Sequence, residues 1–208
     1  MNELQQSILR AALTIAPFEG WTMRTLEKAA EQRGLPAIDA HRAFPSGVIQ
    51  CLNLFNQDAD AAMLATLAKE YNLSSMKIRE RIATGVMVRL TQNLAHREAI
   101  RRGLAYYALP WNIPHGTKAL YHTVDAMWIA AGDQSTDFNF YTKRGLLAKV
   151  YLTTLLHWLN DESNEQQETR AFLMRRIEDV MQIQKVKGKI SQSLEHMSWF
   201  SLFRQAQG

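Results

Sequence analysis

The sequence has almost no cysteine and no long apolar run. Cys51 is the single cysteine among 208 residues, so no intramolecular disulfide can form, and we expect a reducing compartment. Its neighbours at helical spacing are apolar (Val48, Leu52, Phe55), which favours a buried structural thiol over a nucleophile. No stretch approaches the roughly 18 apolar residues of a membrane-spanning helix. We therefore expect any membrane contact to be peripheral.

The motifs of the common enzyme classes are also missing. The 10 glycines form neither a GxGxxG fingerprint nor a P-loop, and there is no GxSxG nucleophile elbow. No Glu-x-x-His pair is present to build a di-iron site in a helical bundle. His122 and Asp125 are three residues apart, and His115 and His122 seven, but each pair offers too few ligands for a metal. We predict that the protein is not an enzyme and holds no metal.

The first residues do not form a targeting segment. Asn2, Glu3, Gln5 and Gln6 stand where a signal peptide would carry basic and then apolar residues. The formal net charge of +4 is spread along the chain, which is compatible with anionic lipid or nucleic acid and requires neither. We expect a bacterial cytoplasmic protein, peripheral to the inner membrane.

Helical periodicity dominates the chain, and alternating Val/Ile/Thr-rich runs are nearly absent, which predicts helices and almost no strand. We expect helix breaks at Pro17 with Gly20, at Pro45-Ser46-Gly47 and at Gly188. Residues 140–159 are apolar nearly all round, as in a central bundle helix. The predicted organisation is a head over 1–47, a helical body over 48–189 and a C-terminal helix over 190–208.

Residues 8–55 resemble the TetR-type head. The similarity lies in the Gly20-Trp21-Thr22 turn, the Leu26…Ala29-Ala30…Gly34-Leu35 unit and the His41…Phe44-Pro45-Ser46 close. It implies an all-α, TetR-like helical bundle with an N-terminal helix-turn-helix-like head.

The third helix of this head lacks the side chains that read DNA. Base recognition needs donors such as Arg, Lys, Asn or Gln early in the helix, whereas Pro36 is followed by Ala37, Ile38 and Asp39, and Arg42 comes late. Gly47 stands where TetR-type proteins usually carry a lysine. We predict no nucleic-acid partner, and a TetR-type regulator with a lipophilic effector is the alternative.

The body resembles the Coq-nine family. Residues 131–144 read AGDQSTDFNFYTKR, preceded by Val124-Asp125-Ala126-Met127-Trp128 and followed by Leu146…Val150-Tyr151…Thr153-Thr154. The head wording Phe18-Glu19-Gly20-Trp21 is similar too, and the resemblance extends over about residues 5–200. One departure is Phe140, where the family usually has tryptophan, so an N–H donor is lost.

The resemblance implies an accessory protein of ubiquinone biosynthesis that binds a lipid, such as a quinone precursor, and presents it to the di-iron hydroxylase of demethoxyubiquinone. We expect a homodimer. The partner surface carried over by position is Asp133, Asp137, Asn139, Phe140, Tyr141 and Arg144. Tyr141 and Arg144 are three residues apart, which puts them on one helix face, and both types are enriched in interface hot spots. The alternative is a helix start capped by Asp137 or Asn139, with Tyr141 in the core.

Apolar side chains of the body could form the wall of a lipid cavity, which must be concave and mostly apolar. The candidates are Met87, Leu90, Leu94, Tyr107, Trp111, Met127, Trp128, Leu147 and Tyr151. The bound lipid would be an isoprenoid or a phospholipid, and no other cofactor is expected. The alternative is an ordinary packed core, which is the more common role of such residues and which residue types alone do not distinguish from a cavity.

Aromatic and apolar residues follow three lysines in the tail. Lys185, Lys187 and Lys189 precede Leu194, Met197, Trp199, Phe200 and Phe203. Aromatics beside a basic cluster suit an anionic membrane interface, and the family resemblance implies an amphipathic C-terminal helix that docks on membranes. Packing against the body or a partner is the alternative.

Overall fold

A computed structural model describes residues 2–134 and 138–196, with side chains except at 138–139 and 183–196. The described residues are helical and contain no strand, so the all-α prediction is confirmed. The helices are α1 Glu3–Glu19, α2 Met23–Gln32, α3 Ile38–Ala43, α4 Val48–Glu70, α5 Ile78–Thr91, α6 Arg97–Tyr107, α7 Ile113–Ala130, α8 Phe138–Trp158 and α9 Gln167–His196.

The first two helices begin at the caps that the sequence indicates. The Asn2 side chain accepts a hydrogen bond from the Gln5 backbone N–H (2.8 Å), and the Gln5 side chain accepts one from the Asn2 backbone N–H (3.2 Å). This reciprocal pair is a capping box. The Thr22 hydroxyl accepts from the Thr25 N–H at 3.1 Å and begins α2. Both caps satisfy N–H groups that a helix leaves unpaired at its start.

The break predicted at Pro17 with Gly20 falls at Gly20, and the break predicted at Gly188 is wrong. Pro17 lies inside α1, whose C-cap is Gly20, where φ is +76° and the N–H bonds to the Ala16 carbonyl at 2.9 Å. A proline this close to the helix end removes a single late hydrogen bond. α9 continues through Gly188 to His196, because one glycine costs a helix only about 1 kcal/mol.

α4 joins two apolar cores. Its first half contributes Val48, Cys51 and Leu52 to a core shared with α1, α2, α3 and α6. Its second half contributes Met63 and Leu67 to a core shared with α5, α7, α8 and α9. Cys51 is fully buried, as expected for a structural thiol, and burial raises the pKa of the thiol to about 12.

α8 is central on one side only. Leu147, Val150, Leu155 and Trp158 are buried in the body core. On its other side, Leu152 and Leu156 are exposed together with Tyr141 near the helix start. The nearly all-round apolar character of this helix therefore leaves an apolar face uncovered in the single chain.

Candidate lipid cavity and partner corner

An apolar cavity of about 250 Å³ lies between α4, α6, α7 and α8. Most of its wall is aliphatic or aromatic, with Asn56 and Thr123 among the few polar contributors. The lining includes Asn56, Leu104, Tyr107, Ala108, Ile113, Gly116, Leu120, Thr123, Tyr151, Leu152 and Leu155. Such a concave, mostly apolar space with few polar groups has the character of a lipid site.

A smaller cavity of about 50 Å³ lies further into the core and shares Asn56, Leu104, Tyr107, Tyr151 and Leu155 with the first. Leu90 and Arg89 also line it. The wall that the two cavities share carries the polar groups of Asn56, Tyr107 and Tyr151, and we call it the inner end of the larger cavity; Arg89 lines the smaller cavity only.

The predicted lipid-lining residues are divided among several places. Tyr107 and Tyr151 line the 250 Å³ cavity and Leu90 its inner extension, whereas Trp128 and Leu147 line a separate cavity of about 220 Å³ between α5, α8 and α9. Met87 and Met127 are buried core residues that line none of these cavities. Leu94 and Trp111 are exposed and line none of them either.

A buried polar network borders the inner end of the cavity. The Arg89 Nε donates to the Asp60 carboxylate at 2.8 Å, and its terminal nitrogen donates to the Asn56 amide oxygen at 3.2 Å. The Thr123 hydroxyl donates to Asp60 at 2.9 Å. The Asn56 amide in turn donates to the Tyr107 hydroxyl at 3.1 Å. Sequence reasoning missed this network, since its members are scattered over four helices.

The titration of these groups follows their burial. Desolvation raises the pKa of Asp60 above its ordinary value, against the opposing attraction of Arg89. Burial also raises the pKa of Tyr107 to about 12 and raises that of Tyr151. Both phenols are therefore protonated at neutral pH, and the inner end offers neutral hydroxyls beside a paired cation.

Arg144 is buried at the corner between α7 and α8. Only 3% of its side chain is exposed, and it donates to Asp125 at 2.6 Å and to Asp133 at 3.1 Å. Its guanidinium carbon lies 3.3 Å from the centroid of the Phe140 ring. This cation–π contact needs a ring face and no N–H, so phenylalanine serves it in place of the family's usual tryptophan.

Tyr141 differs from Arg144 in exposure. Its side chain is 68% exposed, so the core alternative does not hold for it, whereas Arg144 is turned inward. The two residues lie three apart on α8, but Arg144 is buried and Tyr141 is exposed, so they do not form one exposed surface. Asp133 binds Lys143 at 2.8 Å as well as Arg144, Asp137 lies outside the described residues, and the Asn139 side chain is not described.

The third helix of the head carries few free cations. Arg42 pairs with Asp39 at 2.8 Å, and the His41 ring contacts Glu27 at 2.8 Å. Both basic side chains of α3 thus have an acidic neighbour that competes with a phosphate.

Across residues 2–134 and 138–196, no helix has the length and apolar character needed to cross a membrane. The same residues contain no group of three or more His, Cys, Asp or Glu side chains that could hold a metal ion. The predicted tail residues Met197, Trp199, Phe200 and Phe203 lie outside the described part, and the Leu194 side chain is not described.

Residues 113–184, which hold α7, α8 and the first half of α9, match the COQ9 family model. The human "Ubiquinone biosynthesis protein COQ9, mitochondrial" is 35% identical over 186 residues, which cover 86% of this chain. Over 86% of its length the chain is similar to a protein of the COQ9 family. The match confirms the Coq-nine resemblance seen in the sequence, and its range contains Asp125, Asp133 and Arg144.

Other COQ9 relatives are more distant. The Drosophila melanogaster protein of the same name is 27% identical over 88% of this chain. The chain spans 58% of the length of the human COQ9 relative and 57% of the Drosophila one.

A solved structure supports the TetR-like fold. The crystal structure of the TetR transcriptional regulator from Nitrosomonas europaea ATCC 19718 superposes with a TM-score of 0.68 and 19% sequence identity, covering 85% of this chain and 97% of that one. At this identity the likeness shows the fold alone. It confirms the TetR-like helical fold that the sequence predicts for this chain.

Proposed function

We propose that this chain is a non-catalytic accessory protein of ubiquinone biosynthesis, which binds a lipid in the cavity between α4, α6, α7 and α8 and presents it to the di-iron hydroxylase of demethoxyubiquinone. The observation that carries the proposal is the apolar cavity of about 250 Å³ with its polar inner end. The COQ9 relatives are named as ubiquinone biosynthesis proteins, which supports the proposed pathway.

The inner end suits an uncharged polar head. The charge of Arg89 is matched by Asp60, so a buried anion would find no unpaired cation to offset its desolvation. The Tyr151 hydroxyl, whose pKa burial raises, offers a neutral hydrogen-bonding group instead. A quinone or phenol ring with an isoprenoid chain has the required combination of a neutral polar head and an apolar tail.

The experiment that tests lipid binding is solvent extraction of the purified protein followed by mass spectrometry. We expect a stoichiometric isoprenoid quinone precursor or phospholipid. Leu120→Trp, which places an indole in the cavity, should lower the bound amount about tenfold, equivalent to about 1.4 kcal/mol. Ile129→Trp is the matched control, since Ile129 is exposed on the same helix α7 and lines none of the described cavities. A wild-type protein that carries no lipid would show that this space is an ordinary feature of core packing.

Tyr141 is the side chain best placed to contact the hydroxylase, because its ring is exposed beside the rigid Arg144 corner. Tyr141→Ala should weaken hydroxylase binding about 30-fold, as for a hot spot of about 2 kcal/mol, and leave the melting temperature unchanged. Isothermal titration calorimetry of each variant with the hydroxylase measures the affinity. Tyr121→Ala is the control, because Tyr121 is also exposed but lies on α7. Equal affinities of the two variants would show that Tyr141 is not part of the interface.

Dimerisation and membrane contact belong to the same proposal. The uncovered apolar side chains Leu152 and Leu156 on α8 and Met174 on α9 support a homodimer through these two helices. The tail from Leu194 to Phe203 is proposed to dock on the inner membrane of a bacterium. The human and Drosophila relatives are named as mitochondrial proteins.

A transcriptional regulator with a lipophilic effector is the second candidate, and the fold of the Nitrosomonas regulator favours it. The acidic partners of Arg42 and His41 weigh against it, because DNA affinity depends on cations available to phosphates. Genome-wide selection of bound DNA fragments at low salt would reveal an operator if this candidate held.

A further inference from the structure

The connection between α6 and α7 presents apolar side chains to solvent. We call residues Leu109–Ile113 the α6–α7 tip. Trp111 is 71% exposed, Ile113 51% and Leu109 36%. Clustered exposed apolar residues mark a surface that is covered in function, and this cluster lies on a different element from Tyr141.

The tip is held rigidly with these side chains outward. Asn112 is buried, and its amide donates to the Tyr106 carbonyl at 3.0 Å. Its backbone N–H bonds to the Leu109 carbonyl at 2.8 Å. Gly116 packs so closely on Tyr107 that an added Cβ would lie 2.9 Å from the Tyr107 Cβ. These contacts fix the turn, so Trp111 is exposed by the packing of the hairpin.

The sequence around the tip carries positive charge and no negative charge. No acidic residue occurs between Glu98 and Asp125. The exposed His115 and Lys118 follow the tip within two turns of α7. Basic residues beside exposed tryptophan are typical of contact with an anionic lipid surface.

The tip also forms the rim of the apolar cavity. Ile113 lines the 250 Å³ cavity and is itself half-exposed, and Ala108 and Gly116 line the wall on either side of the tip. An amphiphile that left a bilayer beside Ile113 could therefore enter the cavity along apolar side chains, without crossing water.

We propose that the α6–α7 tip inserts into the interfacial region of an anionic bilayer and holds the cavity mouth against the lipid. The size of the cluster favours a lipid surface over a protein partner, since a stable protein interface needs about 20–30 residues a side. The assignment of a lipid to the cavity rests on the proposed function, and the insertion of the tip does not.

The test is a fluorescent probe at the tip of the full chain. Trp111→Cys is labelled with an environment-sensitive fluorophore, while native Cys51 is fully buried and stays unlabelled. Phe18→Cys, at an 85% exposed position on α1, is the control. Both are mixed with phosphatidylcholine vesicles with and without phosphatidylglycerol. We expect a blue shift and a rise in emission at position 111 with phosphatidylglycerol, and no change at position 18.

Co-sedimentation separates tip insertion from binding by the tail. Protein that sediments with the vesicles while the probe at 111 keeps its aqueous emission would overturn the proposal, as would protein that binds no vesicles. Ile113→Cys repeats the measurement should Trp111→Cys fold poorly by circular dichroism. Solvent extraction measures lipid in the cavity independently of the probe. A lipid-loaded protein with an unresponsive probe would contradict insertion of the tip and leave the proposed function unaffected.

Discussion

Arg144→Ala should lower the free energy of unfolding by about 3 kcal/mol. Removing one partner of a buried ion pair typically costs about 3–5 kcal/mol, because the remaining charge is left uncompensated. Here Asp133 is 4% exposed and would keep Lys143, and Asp125 is partly exposed, so the lower end applies. The melting temperature should fall by roughly 6–12 °C for a chain of this size. Urea and thermal unfolding followed by circular dichroism measure both quantities.

Arg42→Ala is the matched control for Arg144. Arg42 also pairs with an aspartate at 2.8 Å, but its side chain is 69% exposed, and exposed pairs contribute about 0–1 kcal/mol. Arg144→Lys should fall between the two, because one ammonium cannot place parallel N–H donors toward two carboxylates. A loss below about 1 kcal/mol for Arg144→Ala would mean that the corner is solvated and that Arg144 is available to a partner after all.

The behaviour of Arg144 shows the limit of spacing arguments. A separation of three residues places Tyr141 and Arg144 on one helix face, but it does not say which part of that face other elements cover. The covering groups are Asp125 and Asp133, from α7 and the loop after it. Asp133 and Asp125 precede Arg144 by 11 and 19 residues, and two acids ahead of a basic helix start are a signal that could have suggested an intramolecular pair.

Helix positions were largely predictable, because apolar periodicity and caps act over a few residues. Asn2 and Thr22 begin the predicted helices. Helices continue through Pro17 and Gly188 because local breakers contribute only about 1–3 kcal/mol, and packing of the rest of a helix can exceed this. The cavity could not be predicted, since Met87 in the core and Leu120 in the cavity wall are the same kind of residue in the same kind of pattern.

The Asp60–Arg89 pair was invisible in the sequence for a related reason. Its members are 29 residues apart, and Thr123 is 63 residues from Asp60. A single charged residue in an amphipathic helix is usually read as part of the solvated face. Only the packing of α4, α5 and α7 shows that these three polar groups meet inside the body.

Arg89→Leu should therefore be the most damaging single change, with a loss of about 4–5 kcal/mol at neutral pH, because both partners of this pair are buried and Asp60 has no second cation at hydrogen-bond distance in the described residues. Burial already raises the pKa of Asp60, and loss of Arg89 should raise it further. The folded variant then binds a proton that the unfolded chain releases above about pH 4, so its stability should fall as pH rises.

The companion variant Arg89→Leu/Asp60→Leu decides whether the pair stabilises the fold or is needed for another reason. Replacing both members of a buried ion pair with apolar residues is often neutral, so the double variant should recover most of the lost stability and lose the additional pH dependence that Arg89→Leu shows between pH 5 and 8. Urea unfolding at both pH values gives the coupling between the two sites. If the double variant is stable but no longer retains lipid on extraction, the pair serves the polar end of the cavity. A double variant as unstable as Arg89→Leu alone would contradict the assignment of that loss to an uncompensated Asp60.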